Sequence, residues 1–292
     1  MRKFEVLFDH GEESALQHPA YAPYGKLGFP APPMDRPLIC ANFVQTLDGI
    51  TSWKGEHALG SDISHSAEDR WLMDLLRAHA DAVLLGSKTL AVEKTVLGPT
   101  SRGATYHIED PLLRDLRARL GRRRETIIFV TGSAALKLSD YAVFDGDKVD
   151  AVILTSKAGA AKLAPQQAGH PNVRVLVAGE GNVVDLPVAV RLLARELGIR
   201  LLLCEGGPTL YGYMSRAGLI DEKFLTISPV EAGQIIPQEQ EVGMLEGPAR
   251  LRPTTFSAPG FTADKAPWWS WLSCRKVGDH EFNRYRRKRL TS

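Results

Sequence analysis

The chain has 292 residues, of which 44% are hydrophobic and 24% are charged, as in an ordinary globular protein. Its 36 basic and 34 acidic residues leave a net charge of +2, which gives no electrostatic reason to expect a nucleic-acid or membrane partner. No apolar run reaches about eighteen residues, the N-terminus lacks a signal-peptide pattern, and three scattered cysteines form neither a disulfide framework nor a zinc site. We therefore expect a cytoplasmic protein without a bound metal.

The first 35 residues contain five prolines that interrupt any periodicity, so they are predicted to form an irregular N-terminal arm. From residue 36 to 288 the sequence contains no linker or repeat and is predicted to form one domain, followed by a basic tail end at 289–292. Within this domain, short apolar and β-branched runs alternate with helical patterns, which predicts an α/β fold with a mostly parallel sheet flanked by helices. The predicted strands are 38–46, 82–85, 126–131, 151–155, 173–178, 200–204 and 223–228.

Three helices have recognisable ends in the sequence. Ser66 begins a capping-box pattern ahead of a stripe of leucines. Pro187 opens a second helix at its first position and Gly198 closes it, because proline fits the first turn and glycine fits the residue after the last. Pro208 and Gly218 repeat this arrangement for a third helix.

The C-terminus has a different pattern. The segments 268–276 and 281–286 are predicted to be two strands joined at Gly278 and Asp279, so an antiparallel hairpin finishes the sheet edge. The basic run 284–289 has two interpretations, an RNA-binding patch or a solvated tail. The near-neutral charge of the whole domain favours the solvated tail.

The first candidate site follows the apolar run 201–203, where Gly206 and Gly207 form a tight turn before a helix that begins at Pro208. The first turn of a helix offers unpaired N–H groups and the positive end of its dipole, both of which suit a phosphate. A purely structural turn is the alternative, because this is not the GxGxxG fingerprint of a dinucleotide-binding fold.

Three other polar segments are candidates. Gly86-Ser87-Lys88-Thr89 follows a predicted strand, and Lys88 would favour the 2′-phosphate of NADP, although a surface turn explains the segment equally well. Asp48 precedes a glycine and is interpreted as a turn former. The polar loop 60–66 contains Ser61 and Ser64, which are suited to a ligand phosphate or to solvent alone.

Several chemistries are excluded by the motifs that the sequence lacks. It contains no GxxxxGK[ST] loop, no HExxH spacing and no zinc-deaminase signature. It also lacks the GxSxG elbow of an α/β-hydrolase. These absences argue against an ATPase, a metalloprotease, a base deaminase and a serine hydrolase.

Taken together, the segments and their order resemble the reductase domain of riboflavin biosynthesis. This domain forms the C-terminal half of bacterial bifunctional deaminase-reductases and also occurs as stand-alone reductases. The resemblance implies a dihydrofolate-reductase-like fold, NADPH as cofactor, a homodimer, and reduction of the ribosyl group of 5-amino-6-(5-phosphoribosylamino)uracil to the ribityl form. The resembling stretches are 36–49, 66–78, 81–89, 205–210, 217–222, 225–229 and 278–286.

The resemblance also assigns residues by position. Glu205 would hold or protonate the substrate with help from Asn42, whereas the alternative is a carboxylate fixed by backbone amides near a helix start. The residues implied to contact the substrate are Asn42, Ser61, Ser64, Arg77 and Glu205. The residues implied to contact NADPH are Val44, Gly86, Thr89, Glu93, Thr131, Gly206, Gly207, Pro208, Thr209, Leu210 and Tyr211.

The chain departs from the family pattern mainly around the substrate pocket. Lys88 stands in a segment where the family commonly has Gly-Ala-Gly-Thr, the loop 55–64 is longer, and 230–234 lacks the usual pair of glycines. Asn42 is typical of stand-alone reductases. Two further hypotheses therefore stay open: a diverged NADPH-dependent reductase of another small substrate, and a nucleotide-binding protein without efficient catalysis.

Overall fold

The computed structural model describes residues 2–53, 60–98, 100–122, 124–236 and 251–288, so the basic tail end and part of the loop 55–64 lie outside it. Within these residues the strands form one sheet in the order β1-β9-β10-β8-β2-β7-β3-β4-β5-β6. The strands from β8 to β6 in this order are parallel, and the other three pair antiparallel. Their bounds are β1 Glu5–Asp9, β2 Leu38–Gln45, β3 Ala82–Gly86, β4 Thr126–Thr131, β5 Asp150–Thr155, β6 Val173–Val177, β7 Leu201–Cys204, β8 Glu222–Ile227, β9 Trp269–Val277 and β10 His280–Arg287.

Helices cover both faces of the parallel part of the sheet. Along β7, Leu203 packs on one face and Leu202 on the other, because successive side chains of a strand point in opposite directions. Burial on both faces accounts for the near-continuous apolar runs, and the predicted α/β fold is confirmed. In the described part of the chain, no helix is long and apolar enough to cross a bilayer. The helices are α1 Gly60–Ser64, α2 Ala67–His79, α3 Ser87–Val96, α4 Pro111–Arg119, α5 Lys157–Gln167, α6 Leu186–Leu197 and α7 Pro208–Arg216.

The predicted helix ends agree closely with the structure. The Ser66 hydroxyl caps α2 by accepting a hydrogen bond of 3.2 Å from the Asp69 N–H. Gly198 ends α6 in the left-handed region at φ +66°. The side chain of Asp185 caps the start of α6, so Pro187 stands at the second helical position instead of the predicted first.

The other four described helices were not predicted from their ends, and two of them correct an expectation. The predicted polar loop 60–66 contains the helical turn α1, and the predicted turn at Ser87 is the first turn of α3. The cap of α3 is Gly86, which has no side chain to bond the helix start. Inside α5, Gly159 and Pro165 lower the helix propensity that a sequence pattern would need to show.

The N-terminal arm is not irregular throughout, which corrects that prediction. Its strand β1 pairs antiparallel with β9 at the sheet edge. The side chains of β1 are mostly exposed on both faces, so no apolar alternation marks it in the sequence. Phe4, Tyr24 and Leu27 of the arm are buried in the core, where the Arg275 guanidinium carbon lies 3.9 Å from the Tyr24 ring centroid.

The basic run at the C-terminus begins inside the fold and not in a solvated tail. Arg284 and Arg286 lie on β10, where both bind the fully buried carboxylate of Glu222. The Arg284 Nη2 donates to Glu222 Oε2 at 2.7 Å, and the Arg286 Nε donates to Oε1 at 2.8 Å. Sharing one buried carboxylate between two guanidinium groups compensates for much of the cost of removing these charges from water.

Candidate active site

Segments that are far apart in the sequence meet at one edge of the sheet because of the strand order. β7 lies between β2 and β3, so the residues at the carboxyl ends of these three strands are neighbours. Glu205 directly follows β7, Ser87 directly follows β3, and Val44 lies near the end of β2. In open α/β sheets, ligands bind beyond the carboxyl ends of the strands.

A cavity of about 870 Å³ opens at this edge. Its size is within the range of ligand sites, which span roughly 300–1,000 Å³. The structure brings together many residues that the resemblance assigned to cofactor and substrate. The assigned residues that line the cavity are Asn42, Val44, Ser61, Ser64, Arg77, Thr89, Glu93, Glu205, Gly207 and Pro208.

The other assigned residues do not line this cavity. Tyr211 is only 4% exposed and packs edge-on against the ring of Phe43, with 4.9 Å between the ring centroids. The hydroxyl of Thr131 accepts a hydrogen bond of 3.0 Å from the Ala134 N–H in the turn after β4. A Cβ added to Gly206 would lie 3.1 Å from backbone atoms of β3, so this glycine allows close packing. The assigned residues outside the lining are Gly86, Thr131, Gly206, Thr209, Leu210 and Tyr211.

A buried ion pair forms part of the cavity wall. The Arg77 Nε donates to Glu205 Oε1 at 2.8 Å and its Nη2 donates to Oε2 at 2.7 Å, with the two side chains only 5% and 6% exposed. Asp74 accepts a third hydrogen bond from Arg77 at 3.2 Å. Burial lowers the pKa of Arg77, but the charges of Glu205 and Asp74 outweigh it and the pKa is raised. Arg77 therefore stays charged, and both oxygens of Glu205 are engaged as acceptors.

A second carboxyl group in the wall has different partners. The phenol of Tyr106 donates a hydrogen bond to the Glu93 carboxylate. Burial raises the pKa of Glu93, while the Tyr106 hydrogen bond and the charge of Arg77 act in the opposite direction. Tyr106 is 5% exposed, and burial together with the charge of Glu93 raises its own pKa. Glu93 and Glu205 are thus two carboxyl groups of the cavity wall in unlike environments.

The serine-rich part of the wall is fixed by the end of β8. The Ser228 hydroxyl donates a hydrogen bond of 2.8 Å to the Ile63 carbonyl of α1. This contact holds α1 over the cavity, where Ser61 is exposed and Ser64 is buried. Two hydroxyl groups on a short, anchored helix are suited to bind a polar or phosphorylated ligand.

The first turn of α7 is suited to bind a phosphate. Its cap residue Gly207 has φ +48° and ψ 152°, and no side chain caps the helix. A Cβ at Gly207 would lie 3.4 Å from the Thr89 hydroxyl, so the glycine keeps the space between these cavity-lining residues open. Backbone N–H groups at a helix start favour an anion, which matches the pyrophosphate of a dinucleotide.

One wall of the cavity was not predicted from the sequence. A loop between α3 and α4 supplies it, and no periodic pattern marks that loop. On α2, by contrast, Arg70, Met73 and Arg77 are three and four residues apart and so lie on one face of the helix. Once Arg77 is assigned to the site, this spacing predicts the other two as lining residues. The loop residues in the lining are Gly103, Ala104, Thr105, Tyr106, His107 and Glu109.

Residues 37–258 match the protein family described as the RibD C-terminal domain. The chain belongs to this family. The match covers most of the domain predicted from the sequence and confirms the resemblance to the riboflavin-biosynthesis reductases.

Two curated relatives of this RibD-family chain are archaeal enzymes. Both are named 2,5-diamino-6-ribosylamino-4(3H)-pyrimidinone 5′-phosphate reductase. The protein from Methanothermobacter thermautotrophicus is 28% identical over 198 residues, which is 68% of this chain and 80% of the relative. The protein from Archaeoglobus fulgidus is 25% identical over 201 residues, which is 68% of this chain and 83% of the relative.

Solved structures share the fold of this RibD-family chain. A pyrimidine reductase-like protein from Corynebacterium diphtheriae has a TM-score of 0.64 at 20% identity, with 94% of this chain and 100% of that chain covered. RibD from Acinetobacter baumannii has a TM-score of 0.62 at 17% identity, with 88% of this chain covered. The chain spans 59% of the length of that RibD protein.

Proposed function

We propose that this chain is an NADPH-dependent reductase, with residues 36–288 as its reductase domain. Its substrate is a phosphoribosylamino-pyrimidine, whose ribosyl group is reduced to ribityl. One observation carries the proposal: a single cavity joins the open helix start at Gly207 to the buried Arg77–Glu205 pair. The curated relatives are named as reductases of such a substrate.

Bound NADPH would supply the hydride, and the chain would bind and orient the two reactants. In this proposal the first turn of α7 and Thr89 hold the pyrophosphate of the cofactor. Arg77 fixes Glu205 so that the carboxylate orients the substrate together with Asn42. Enclosure of the reactants excludes water and holds them in one geometry, which accounts for a large part of such a reaction's rate.

The assay uses the purified chain, NADPH and either the diaminopyrimidinone or the aminouracil phosphoribosylamine. We expect loss of nicotinamide absorbance and a product heavier than the substrate by two hydrogens, identified by mass spectrometry. Binding of NADPH without turnover of either compound contradicts the proposal. If the chain oxidises NADPH with another small substrate, it is a diverged reductase. If it binds NADPH but oxidises it with no substrate, it is a nucleotide-binding protein without efficient catalysis.

The preference for NADPH is proposed to depend on Lys88. This exposed residue lies in the first turn of α3, one residue before the cavity-lining Thr89. Lys88→Ala is expected to reduce the preference for NADPH over NADH at least tenfold, because a hydrogen bond to a charged group contributes roughly 1.5–3 kcal/mol. KM values for both cofactors measure the effect. Lys157→Ala, which removes an exposed lysine from α5, is the control and should leave the preference unchanged.

We also propose a cytoplasmic homodimer that forms through the antiparallel part of the sheet. There, Trp271 is 50% exposed, stacks on Tyr285 and packs edge-on against Phe8. Exposed aromatic patches of this kind are typical of protein–protein interfaces. Light scattering is expected to give twice the mass of the chain, and Trp271→Glu is expected to weaken association at least tenfold. Met34→Glu, at a fully exposed position, should not change the mass.

A further inference from the structure

A second cavity, the amino-edge cavity, lies at the edge of the sheet opposite to the candidate active site. Its volume is about 280 Å³, near the lower limit of roughly 300 Å³ for ligand sites. Leu38 and Leu201, the first residues of β2 and β7, lie in its wall, so it opens at the amino ends of the parallel strands. The N-terminal arm supplies the facing wall with residues 13–14 and 27–30. Among the described residues, none lines both cavities.

Much of the lining of the amino-edge cavity is apolar. The ring of Phe29 packs edge-on against the imidazole of His79, with 5.5 Å between the ring centroids. Pro30 and Pro32 of the arm adjoin Phe29, and Leu120, after α4, is another apolar lining residue. Ligand sites are typically lined in this way, by apolar and aromatic groups with a few polar groups that fix the orientation of the ligand.

The charged groups of the lining are Glu13, Arg122 and Arg200, and two of them have partners. The Arg122 Nη1 donates to the carboxylate of Asp81, and the Glu13 carboxylate lies 3.9 Å from Lys26 Nζ. In the described part of the chain, the guanidinium of Arg200 forms neither an ion pair nor a hydrogen bond. One positive charge of the lining is therefore left without a counter-charge.

The backbone of Arg200 is held firmly although its guanidinium has no partner. The N–H groups of Arg200 and Leu201 both donate to Asp81 Oδ2 at 2.8 Å. The Arg200 carbonyl accepts a hydrogen bond of 2.9 Å from the Leu38 N–H at the start of β2. The guanidinium thus extends from a fixed point, and its planar donor groups match a carboxylate in a bidentate arrangement.

His79 shows the sign of the charge around the cavity. Its ring is only 4% exposed, and its Nε2 lies 3.1 Å from the hydroxyl of Tyr21 in the arm. Burial lowers the pKa of His79 to about 3, and the positive charges of Arg122 and Arg284 act in the same direction. The imidazole is therefore neutral near pH 7, and the charges that act on it are positive. Surroundings of this sign favour an anion over a cation.

We propose that the amino-edge cavity binds a small organic monoanion, namely a carboxylate attached to a compact apolar ring. The carboxylate pairs with Arg200, and the ring packs against Phe29 and the adjoining prolines. One negative charge on the ligand balances the one guanidinium of the lining that has no partner, and the small volume restricts the apolar part to a compact group. This site goes beyond the proposed reduction and does not depend on it.

The experiment titrates the purified chain with benzoate, without NADPH or pyrimidine. Calorimetry is expected to give a dissociation constant of about 1 mM, an ordinary affinity for a ligand of this size. In the chain labelled with ¹⁵N-histidine, the ring resonances that are lost in His79→Gln are expected to shift with the same constant. Acetate lacks the ring and benzamide lacks the charge, so both are expected to bind at least tenfold more weakly. Benzylammonium, a cation of similar shape, is expected not to bind.

Arg200→Gln is the decisive variant. The backbone of this residue, and not its exposed side chain, bonds Asp81, so the variant is expected to fold as the wild type does. Its affinity for benzoate is expected to fall at least tenfold, because it loses hydrogen bonds between two charged groups. Leu120→Phe, which adds volume to the wall, is expected to weaken binding as well. Arg191→Gln removes an exposed arginine of α6 outside the lining and is the matched control.

Three results overturn the inference: no saturable binding of benzoate, equal affinity in the wild type and in Arg200→Gln, or binding of benzylammonium as tight as that of benzoate. Failure to reduce the pyrimidine phosphates contradicts the proposed function alone, because the benzoate titration needs neither cofactor nor substrate. The two proposals are thus tested by separate measurements.

Discussion

Glu205→Gln is expected to lower kcat for pyrimidine reduction by about 10²–10³-fold while the protein remains folded. The amide has nearly the volume of the carboxylate, but it has one oxygen and no charge with which to bind the two N–H groups of Arg77. The guanidinium, only 5% exposed, then loses its main counter-charge and shifts toward Asp74. A displacement of about 1 Å among groups that orient a substrate costs on the order of 10² in rate.

The same change is expected to reduce stability, since breaking one side of a buried ion pair costs about 3–5 kcal/mol. Asp74 remains 3.2 Å from Arg77 and lessens this loss, so we expect the lower end of that range. Urea unfolding of the same variant measures this loss of free energy, in parallel with kcat. Asp74→Asn removes the other partner of the same guanidinium and should lower kcat less than tenfold. Full turnover by Glu205→Gln, with an unchanged pH profile, rules out a role for this carboxylate in the reaction.

The central sheet was predictable from the sequence because of how its strands are buried. Segments such as 127–130 are apolar at every position, as expected when helices cover both faces of a parallel sheet. β1 was not predicted, because its short apolar run 6–8 shows no alternation and its side chains are mostly exposed. Apolar periodicity in a sequence reflects burial, so a strand whose side chains are mostly exposed shows little of it.

The candidate site was predictable only where a motif or a resemblance supplied what periodicity could not. Arg77 and Glu205 are 128 residues apart and meet because β7 lies between β2 and β3, an order that no local pattern specifies. The resemblance named both residues, yet it did not include Tyr106, which lies on a loop without periodicity. It also named Tyr211, whose ring packs in the hydrophobic core.

Gly207→Ala is expected to weaken binding of NADPH by about 10²-fold. Gly207 has φ +48° and ψ 152°, a conformation in which a side chain adds about 1–3 kcal/mol of strain. The new methyl group would lie 3.4 Å from the Thr89 hydroxyl, in the space that a pyrophosphate needs in order to approach the first turn of α7. If the backbone instead rotated to relieve the strain, the N–H groups of that turn would point away from the phosphate. The affinity for NADPH therefore falls whether the strain is kept or relieved.

Gly198→Ala separates strain from loss of the phosphate site. Gly198 ends α6 at φ +66°, and a Cβ there meets no atom of the described residues within 4 Å, so its substitution introduces backbone strain far from the cavity. Both variants are expected to lose about 1 kcal/mol or more in urea unfolding, whereas calorimetric titration with NADPH should show weaker binding only for Gly207→Ala. Equal affinity in the wild type and in Gly207→Ala would mean that the start of α7 does not hold the cofactor, and that the glycine at this turn serves the strand-to-helix connection alone.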